Sequence, residues 1–261
     1  MASPADHRLA RRVASQTGEV LLRLRAANPD PGARRQALKD AGDSSAQAFI
    51  ARQLAAAVPG DAVLSEEAVD TAARLDADRV WIIDPVDGTR EFGEPPRDDW
   101  AVHVSLWERS AGPAGGLTVG AVALPALDLV LATDDPPAPP PQHDGAPRIV
   151  VSRTRPPAQA GWVAQALGGV LVPMGSAGAK AMAVVRGVAE VYVHDGGQYE
   201  WDSAAPVAVA MASGLHASRL DGSPLRYNRP DPYLPDLLIC RPDLAAAVLE
   251  AVNGGVWSAT E

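Results

Sequence analysis

The stretch "VWIIDPVDGTREF", residues 80–92, constrains the fold of this chain more than any other. Val80 to Ile83 form an apolar run suited to a buried strand, and Asp84 ends it. Pro85 fixes its own φ and pushes Asp84 away from helical geometry, so the chain turns there. Asp87 follows three residues later and can swing back toward the same point, while Gly88 permits tight backbone passage. Two like charges at the end of a buried strand repel, and desolvating them is costly. Either they cap a turn, or a cation that the sequence itself lacks sits between them. The neighbourhood is rich in oxygen donors and has no histidine or cysteine ligand pattern, which suits Mg²⁺ or Mn²⁺ rather than zinc. Backbone N–H groups near Gly88 and Thr89 are placed to open a short helix and face an anion.

Around this strand the chain reads as mixed helix and sheet. Leu9, Val13, Val20, Leu21 and Leu24 recur at helical spacing, predicting a helix over 6–28. A second helix is expected over Ser44–Val58, with Asp43 or Ser44 as N-cap. "PGDAVLSEE" reads as a turn, a short strand and then two carboxylates, Glu66 and Glu67. "WAVHVSLWE" alternates as a strand does, and "LTVGAVALPALDLVLATDD" reads as a hairpin broken at Pro125. The run "PPAPPP", residues 136–141, is the sharpest change of composition and divides the chain into halves, 1–141 and 142–261. The second half reads strand, helix, strand, helix, strand: 148–153, 158–167, 170–173, 177–186 and 189–194. A further helix, "WDSAAPVAVAMASG", is closed by Gly214, and Asp202 stands where it begins.

Composition excludes several functions. Lys and Arg number 23 against 32 Asp and Glu, so the formal charge is −9, which argues against a partner that is a nucleic-acid polymer. A small anionic substrate remains compatible, because bound cations reverse the local sign. The single cysteine, Cys240, allows no internal disulfide. No apolar stretch approaches the about 18 residues of a membrane span. "MASPADHRLARR" has no apolar core after its charges, so a cytoplasmic protein without a secretory signal is expected.

The trio "LSEE", "WIIDPVDGT" and "WDSAAP", in this order and spacing, resembles the inositol monophosphatase superfamily over residues 40–240. The resemblance implies a five-layer α-β-α-β-α sandwich of the inositol monophosphatase and fructose-1,6-bisphosphatase type, an α/β (α+β) fold. It implies a lithium-sensitive phosphomonoesterase using two or three Mg²⁺ ions, with Mn²⁺ as a substitute, and a homodimer. Glu66, Asp84, Asp87 and Asp202 match the metal carboxylates, and Val86 matches a ligand through its backbone carbonyl. Asp43, in "KDAGD", matches an acid that with Thr89 orients the attacking water, and Glu67 stands just behind. In such sites bound metal activates a water for in-line attack on phosphorus and stabilises the leaving oxygen.

Within the superfamily the chain is similar to the CysQ-type branch, through "DGTREF", "GSAGAK", "GGQYEWDSAAP" and "DGSPLRYNRPDPYLPDLL". The resemblance implies removal of the 3′-phosphate of 3′-phosphoadenosine 5′-phosphate to give AMP, with the sulfated form as a second expected substrate. By this resemblance Gly88, Thr89, Gly175, Ser176 and Lys180 lie near the substrate. "GSAGAK" lacks the spacing of a P-loop, and Ser176 also reads as a plain helix cap. Arg90 and Arg97 either meet the second phosphate or are surface charge. Tyr227 packs either on adenine or on its own loop. Asp195 falls near a substrate-contacting acid of inositol phosphatases. The alternative is therefore an inositol-1-phosphate or fructose-1,6-bisphosphate phosphatase, and outside enzymes a metal- or nucleotide-binding regulator.

Overall fold

The structure is a computed structural model and describes residues 2–29, 32–142 and 144–254. Two helices open the chain, α1 (Pro4–Ala26) and α2 (Arg35–Ala57). Ser3 starts α1 as a capping box: its Oγ accepts the Asp6 N–H, and the Asp6 carboxylate accepts the Ser3 N–H at 2.7 Å. Helix α2 begins nine residues before the expected Ser44, so Asp43 and Ser44 lie inside it rather than capping it. The reason is Gly42, which reads as a breaker in sequence but packs here. A Cβ at Gly42 would stand 2.5 Å from the Phe92 ring, and Leu38, Gly42, Ala46, Ile50 and Leu54 form one buried stripe.

The first sheet runs in the order β1 (Ala62–Ser65), β2 (Arg79–Asp87), β3 (Ala101–Glu108), β4 (Gly116–Leu124) and β5 (Leu129–Ala132). Only the β1–β2 pair is parallel; the rest is antiparallel. Strand β2 continues past Pro85 to Asp87, with an irregularity in register between Asp84 and Asp87 that makes the turn. Between β2 and β3 lies a single turn of helix, α3 (Thr89–Phe92). Every residue of β3 is buried, where simple alternation predicts one wet face. Helices cover both sides: Trp81, Ile83, Val102 and Val104 join the core under α1 and α2, while Val80, Ile82, Ala101 and Val122 join a second core.

The second sheet runs β7 (Val170–Met174), β6 (Arg148–Ser152), β8 (Val191–Tyr199), β10 (Tyr233–Cys240) and β9 (His216–Ser218). Helices α5 (Ala177–Val185) and α6 (Glu200–Ala212) are packed between the two sheets. On the outer side lie α4 (Ala158–Leu167) and α7 (Ala245–Gly254), which share a core with β6 and β8. The layers are therefore α1/α2, sheet, α5/α6, sheet, α4/α7, an α-β-α-β-α sandwich. The ends of β1, β2, β6 and β8 and the starts of α5 and α6 converge on one cleft.

Candidate active site

Three carboxylates from two distant segments meet at this convergence. Asp84 and Asp87 close β2, Asp202 stands in the first turn of α6, and one oxygen from each lies within 4.8 Å of the others. Asp84 is 1% exposed. Its Oδ1 accepts the Val86 N–H at 3.0 Å, while its Oδ2 is buried with no hydrogen-bond partner among the described residues. A buried carboxylate with one orphaned oxygen, grouped with two further carboxylates, is the donor set a hard divalent cation requires. Burial, Glu66, Asp87 and Asp202 together push the Asp84 carboxyl well above its ordinary range. Burial and then Asp87 raise Asp202 to about 7. Glu66 borders the trio. Its outer edge is exposed, but its carboxyl is desolvated against the cluster and raised to about 7, next by Asp202 and Asp87.

Asp87 differs from its neighbours. The Ala177 N–H donates to its Oδ1 at 3.1 Å, and Ser176 Oγ and the Gly178 N–H donate to its Oδ2 at 2.5 Å each. The N-terminus of α5 thus cradles the protein's own carboxylate. Burial alone would raise this carboxyl, but His103 and these donors bring it down to about 2. Glycines make the approach possible. Gly88 has φ +85°, and a Cβ there would meet Ser176 Cβ at 2.9 Å. Ser176 holds the strained φ of 43°, fixed by its bonds to Asp87 and from the Ala179 N–H.

Thr89 and Asp43 meet, one from the start of α3 and the other from the middle of α2. Thr89 Oγ1 lies 3.3 Å from Asp43 Oδ1 and 3.0 Å from the Val86 carbonyl oxygen. Burial and then the Glu67 charge raise the Asp43 carboxyl to about 6. Glu67 itself is exposed and lines an acidic recess with Asp43, Asp40 and Gln47.

Beside the carboxylates opens a cleft of about 200 Å³, bordered by Gly88, Arg90, Gly175, Ser176 and Asp202. Lys180 lines it too, but its ammonium donates to the Gly175 and Ser176 carbonyls, bracing the turn from below. Tyr227 is elsewhere and corrects the expectation of an adenine contact. It is 7% exposed, its hydroxyl lies 3.2 Å from Ser203 Oγ, and it borders a separate apolar cavity with Leu117, Met211 and Leu225. That cavity, about 820 Å³, shares no lining residue with the carboxylate cleft. Arg97 is paired with Asp99 rather than offered to the cleft, and Asp195 is exposed and bonded to Gln159. Tyr199 and Trp201 stack on each other at 4.8 Å.

Several cleft residues escaped the sequence reading. Arg153 and Arg155 arrive from the end of β6, and His194 and Gln198 from β8. Arg153 pairs with Glu91 at 2.7 Å, whereas Arg90 and Arg155 have no acidic partner among the described residues. Gln198 is 4% exposed, and its Oε1 has no hydrogen-bond partner among the described residues. A signal for the arginines exists in "SRTR": basic residues just past the end of a parallel strand sit where open α/β sheets bind ligands. His103 lies behind the cleft, its ring nitrogens near Asp87 and the Trp201 carbonyl.

Layering and carboxylate cluster together define the class. The chain belongs to the inositol monophosphatase family, whose model matches residues 7–255. More narrowly, it is 57% identical over 218 residues to a Mycobacterium bovis protein named 3′-phosphoadenosine 5′-phosphate phosphatase, covering 82% of each chain. A Mycobacterium leprae protein of the same name is 50% identical over 259 residues, covering 97% of this chain and 94% of that one. Among solved structures, inositol monophosphatase II from Staphylococcus aureus superposes with a TM-score of 0.77 at 20% identity, covering 95% of both chains, which shows the shared fold.

Proposed function

We propose that this chain is a Mg²⁺-dependent phosphomonoesterase that removes the 3′-phosphate of 3′-phosphoadenosine 5′-phosphate, and of its sulfated form, to give AMP or its sulfated counterpart. The observation that carries the metal dependence is the grouping of Asp84, Asp87 and Asp202, in which the buried Asp84 Oδ2 has no hydrogen-bond partner among the described residues. The substrate is taken from the relatives of 50–57% identity that bear this activity in their names. Glu66, Asp84, Asp87, Asp202 and the Val86 carbonyl are the groups to hold two or three ions. Bound there, the ions supply Lewis-acid activation of water and neutralise phosphate charge.

The chain's own groups supply the rest. With the Val86 carbonyl, 3.0 Å away, committed as a metal ligand, the Thr89 hydroxyl donates its hydrogen bond to Asp43, which leaves the Thr89 oxygen to accept a hydrogen bond from the attacking water. With its carboxyl near 6, Asp43 is largely ionised at neutral pH and able to take up the proton that the water releases. The P–O3′ bond breaks as the new P–O bond forms in line, and the departing 3′-oxygen takes a proton from solvent water to become the product hydroxyl. The N-terminal turn of α5 at Ser176, with Gly175, borders the phosphoryl group. Arg90 and Arg155, which border the cleft and have no acidic partner among the described residues, would meet the second phosphate, and the Gln198 Oε1, without a partner among the described residues, would accept from a donor on the nucleoside.

Phosphate release from 3′-phosphoadenosine 5′-phosphate, inositol 1-phosphate and fructose 1,6-bisphosphate, each with Mg²⁺ and with excess chelator, tests this function. Turnover of the nucleotide should exceed the others in kcat/KM and vanish on chelation. Activity that survives exhaustive chelation would overturn the metal dependence. Faster turnover of inositol 1-phosphate would overturn the substrate.

A further inference from the structure

His103 is the one fully buried histidine among the described residues, with 0% exposure. It lies mid-strand in β3, directly opposite Asp84 in the β2–β3 ladder. The period-two alternation of β3 turns its ring toward the layer of α5 and α6, the face opposite to Val102 and Val104. Its Nδ1 lies 3.0 Å from the Trp201 carbonyl oxygen. A carbonyl only accepts, so Nδ1 carries a proton. Its Nε2 lies 3.1 Å from Asp87 Oδ2, off the line of an ideal hydrogen bond, as an ion-pair contact. Gly178 makes room for this ring, since a Cβ there would stand 2.0 Å from Nε2.

Among the described residues, the remaining hydrogen-bond partners of the Asp87 carboxylate come from the start of α5. Among the described residues, no other side chain makes a polar contact both with Asp87 and with the backbone of α6, one residue before Asp202. We propose that His103 is a positioning residue of the metal centre: by tying Asp87 to the first turn of α6, it sets the spacing of the Asp87 and Asp202 carboxylates and so the affinity for divalent metal. This rests on the reading of those carboxylates as metal ligands. Outer partners of ligating carboxylates act in this way at metal sites generally, with losses of about 10–100-fold in metal affinity when removed.

Two isosteric variants separate the contacts. Gln at 103 places its amide nitrogen near the position of Nε2 and reaches Asp87. Asn places its amide nitrogen near Nδ1, reaching the Trp201 carbonyl but not Asp87. The experiment measures Mn²⁺ binding to the full chain by the paramagnetic resonance signal of free Mn²⁺, alongside the melting temperature without metal. His103→Gln, which keeps the Asp87 contact but releases the Trp201 carbonyl, should bind Mn²⁺ about 3–10-fold more weakly than the parent. His103→Asn and His103→Ala should bind it at least about 10-fold more weakly. For those two, raising Mg²⁺ should restore turnover while the substrate KM at saturating Mg²⁺ stays within about 3-fold. If the parent binds Mn²⁺ and the Asn and Ala variants bind it equally well, the proposal is overturned. Equal weakening in Gln and Asn, in proportion to a loss of melting temperature, also overturns it and makes His103 a packing residue. A parent that binds no Mn²⁺ overturns the metal centre itself, and the role of His103 with it.

Discussion

Asp84→Asn should stabilise the metal-free protein near pH 8 while removing most of its activity. The apo cluster stores repulsion. Its carboxyls are raised in the folded state, Asp202 from 3.8 to about 7 and Glu66 from 4.5 to about 7. The sign follows from proton binding. Between pH about 4 and about 7 the folded state holds more protons than the unfolded one, so stability is fully present below that window and is lost as pH rises through it. A displacement of about three pH units on one carboxyl corresponds to about 4 kcal/mol. The repulsion is shared among neighbours and solvent reaches the mouth of the cleft, so about half of it, ~2 kcal/mol, is relieved by neutralising Asp84. Asn still accepts the Val86 N–H through its oxygen, and its amide donates where the orphaned Oδ2 now faces carboxylates. In a chain of this size ~2 kcal/mol raises the melting temperature by about 4–8 °C. Thermal melts in EDTA at pH 4 and pH 8, repeated with Mg²⁺, measure this. The gain should appear at pH 8, disappear at pH 4 where Asp84 is protonated, and be reversed by Mg²⁺, which stabilises the parent more than the variant. A variant less stable than the parent at pH 8 without metal would refute the electrostatic reasoning.

Other substitutions probe the remaining parts. Thr89→Ala should lower kcat by about 100-fold with KM little changed, and Thr89→Ser should recover part of the rate; steady-state kinetics in which Ala and Ser behave alike would remove the hydroxyl from its role. Arg90→Ala and Arg155→Ala should each raise KM for the nucleotide bisphosphate by about 10-fold, a loss of ~1.4 kcal/mol, and leave inositol 1-phosphate turnover unaffected. Gly178→Ala forces a methyl to within 2.0 Å of His103 and should cost about 1–3 kcal/mol in chemical denaturation as well as most activity. Tyr227→Phe, in the core and away from the cleft, should cost about 1 kcal/mol and leave the preference between substrates unchanged, as a side-by-side kcat/KM comparison will show.

The parts legible in sequence are those where one segment carries its own constraint. "VWIIDPVDGT" announces a buried strand, its forced turn and its two acids without help from the rest of the chain. The hairpin broken at Pro125 and the alternation of strands and helices after residue 148 are local patterns too, and they appear where expected. What escaped depends on close approach between segments. Gly42 looks like the end of a helix until Phe92 is found against it. His103 is a polar residue in an apolar strand. Only the pairing of Asp84 with His103, whose register the loop of residues 93–99 conceals, brings it behind the carboxylates. Arg153 and Arg155 come from the second sheet, so their arrival beside Arg90 follows from sandwich packing rather than from spacing. Tyr227 shows the converse: an aromatic residue in a motif-like segment fills a core that periodicity does not reveal.

The most direct test is hydrolysis of 3′-phosphoadenosine 5′-phosphate in ¹⁸O-water with Mg²⁺, with the products separated and weighed by mass spectrometry. Water attack on phosphorus at the 3′ position predicts unlabelled AMP and inorganic phosphate carrying one ¹⁸O, with neither formed in the presence of chelator. Label in the nucleoside, adenosine 3′-phosphate as product, or the same yield under chelation would contradict the account.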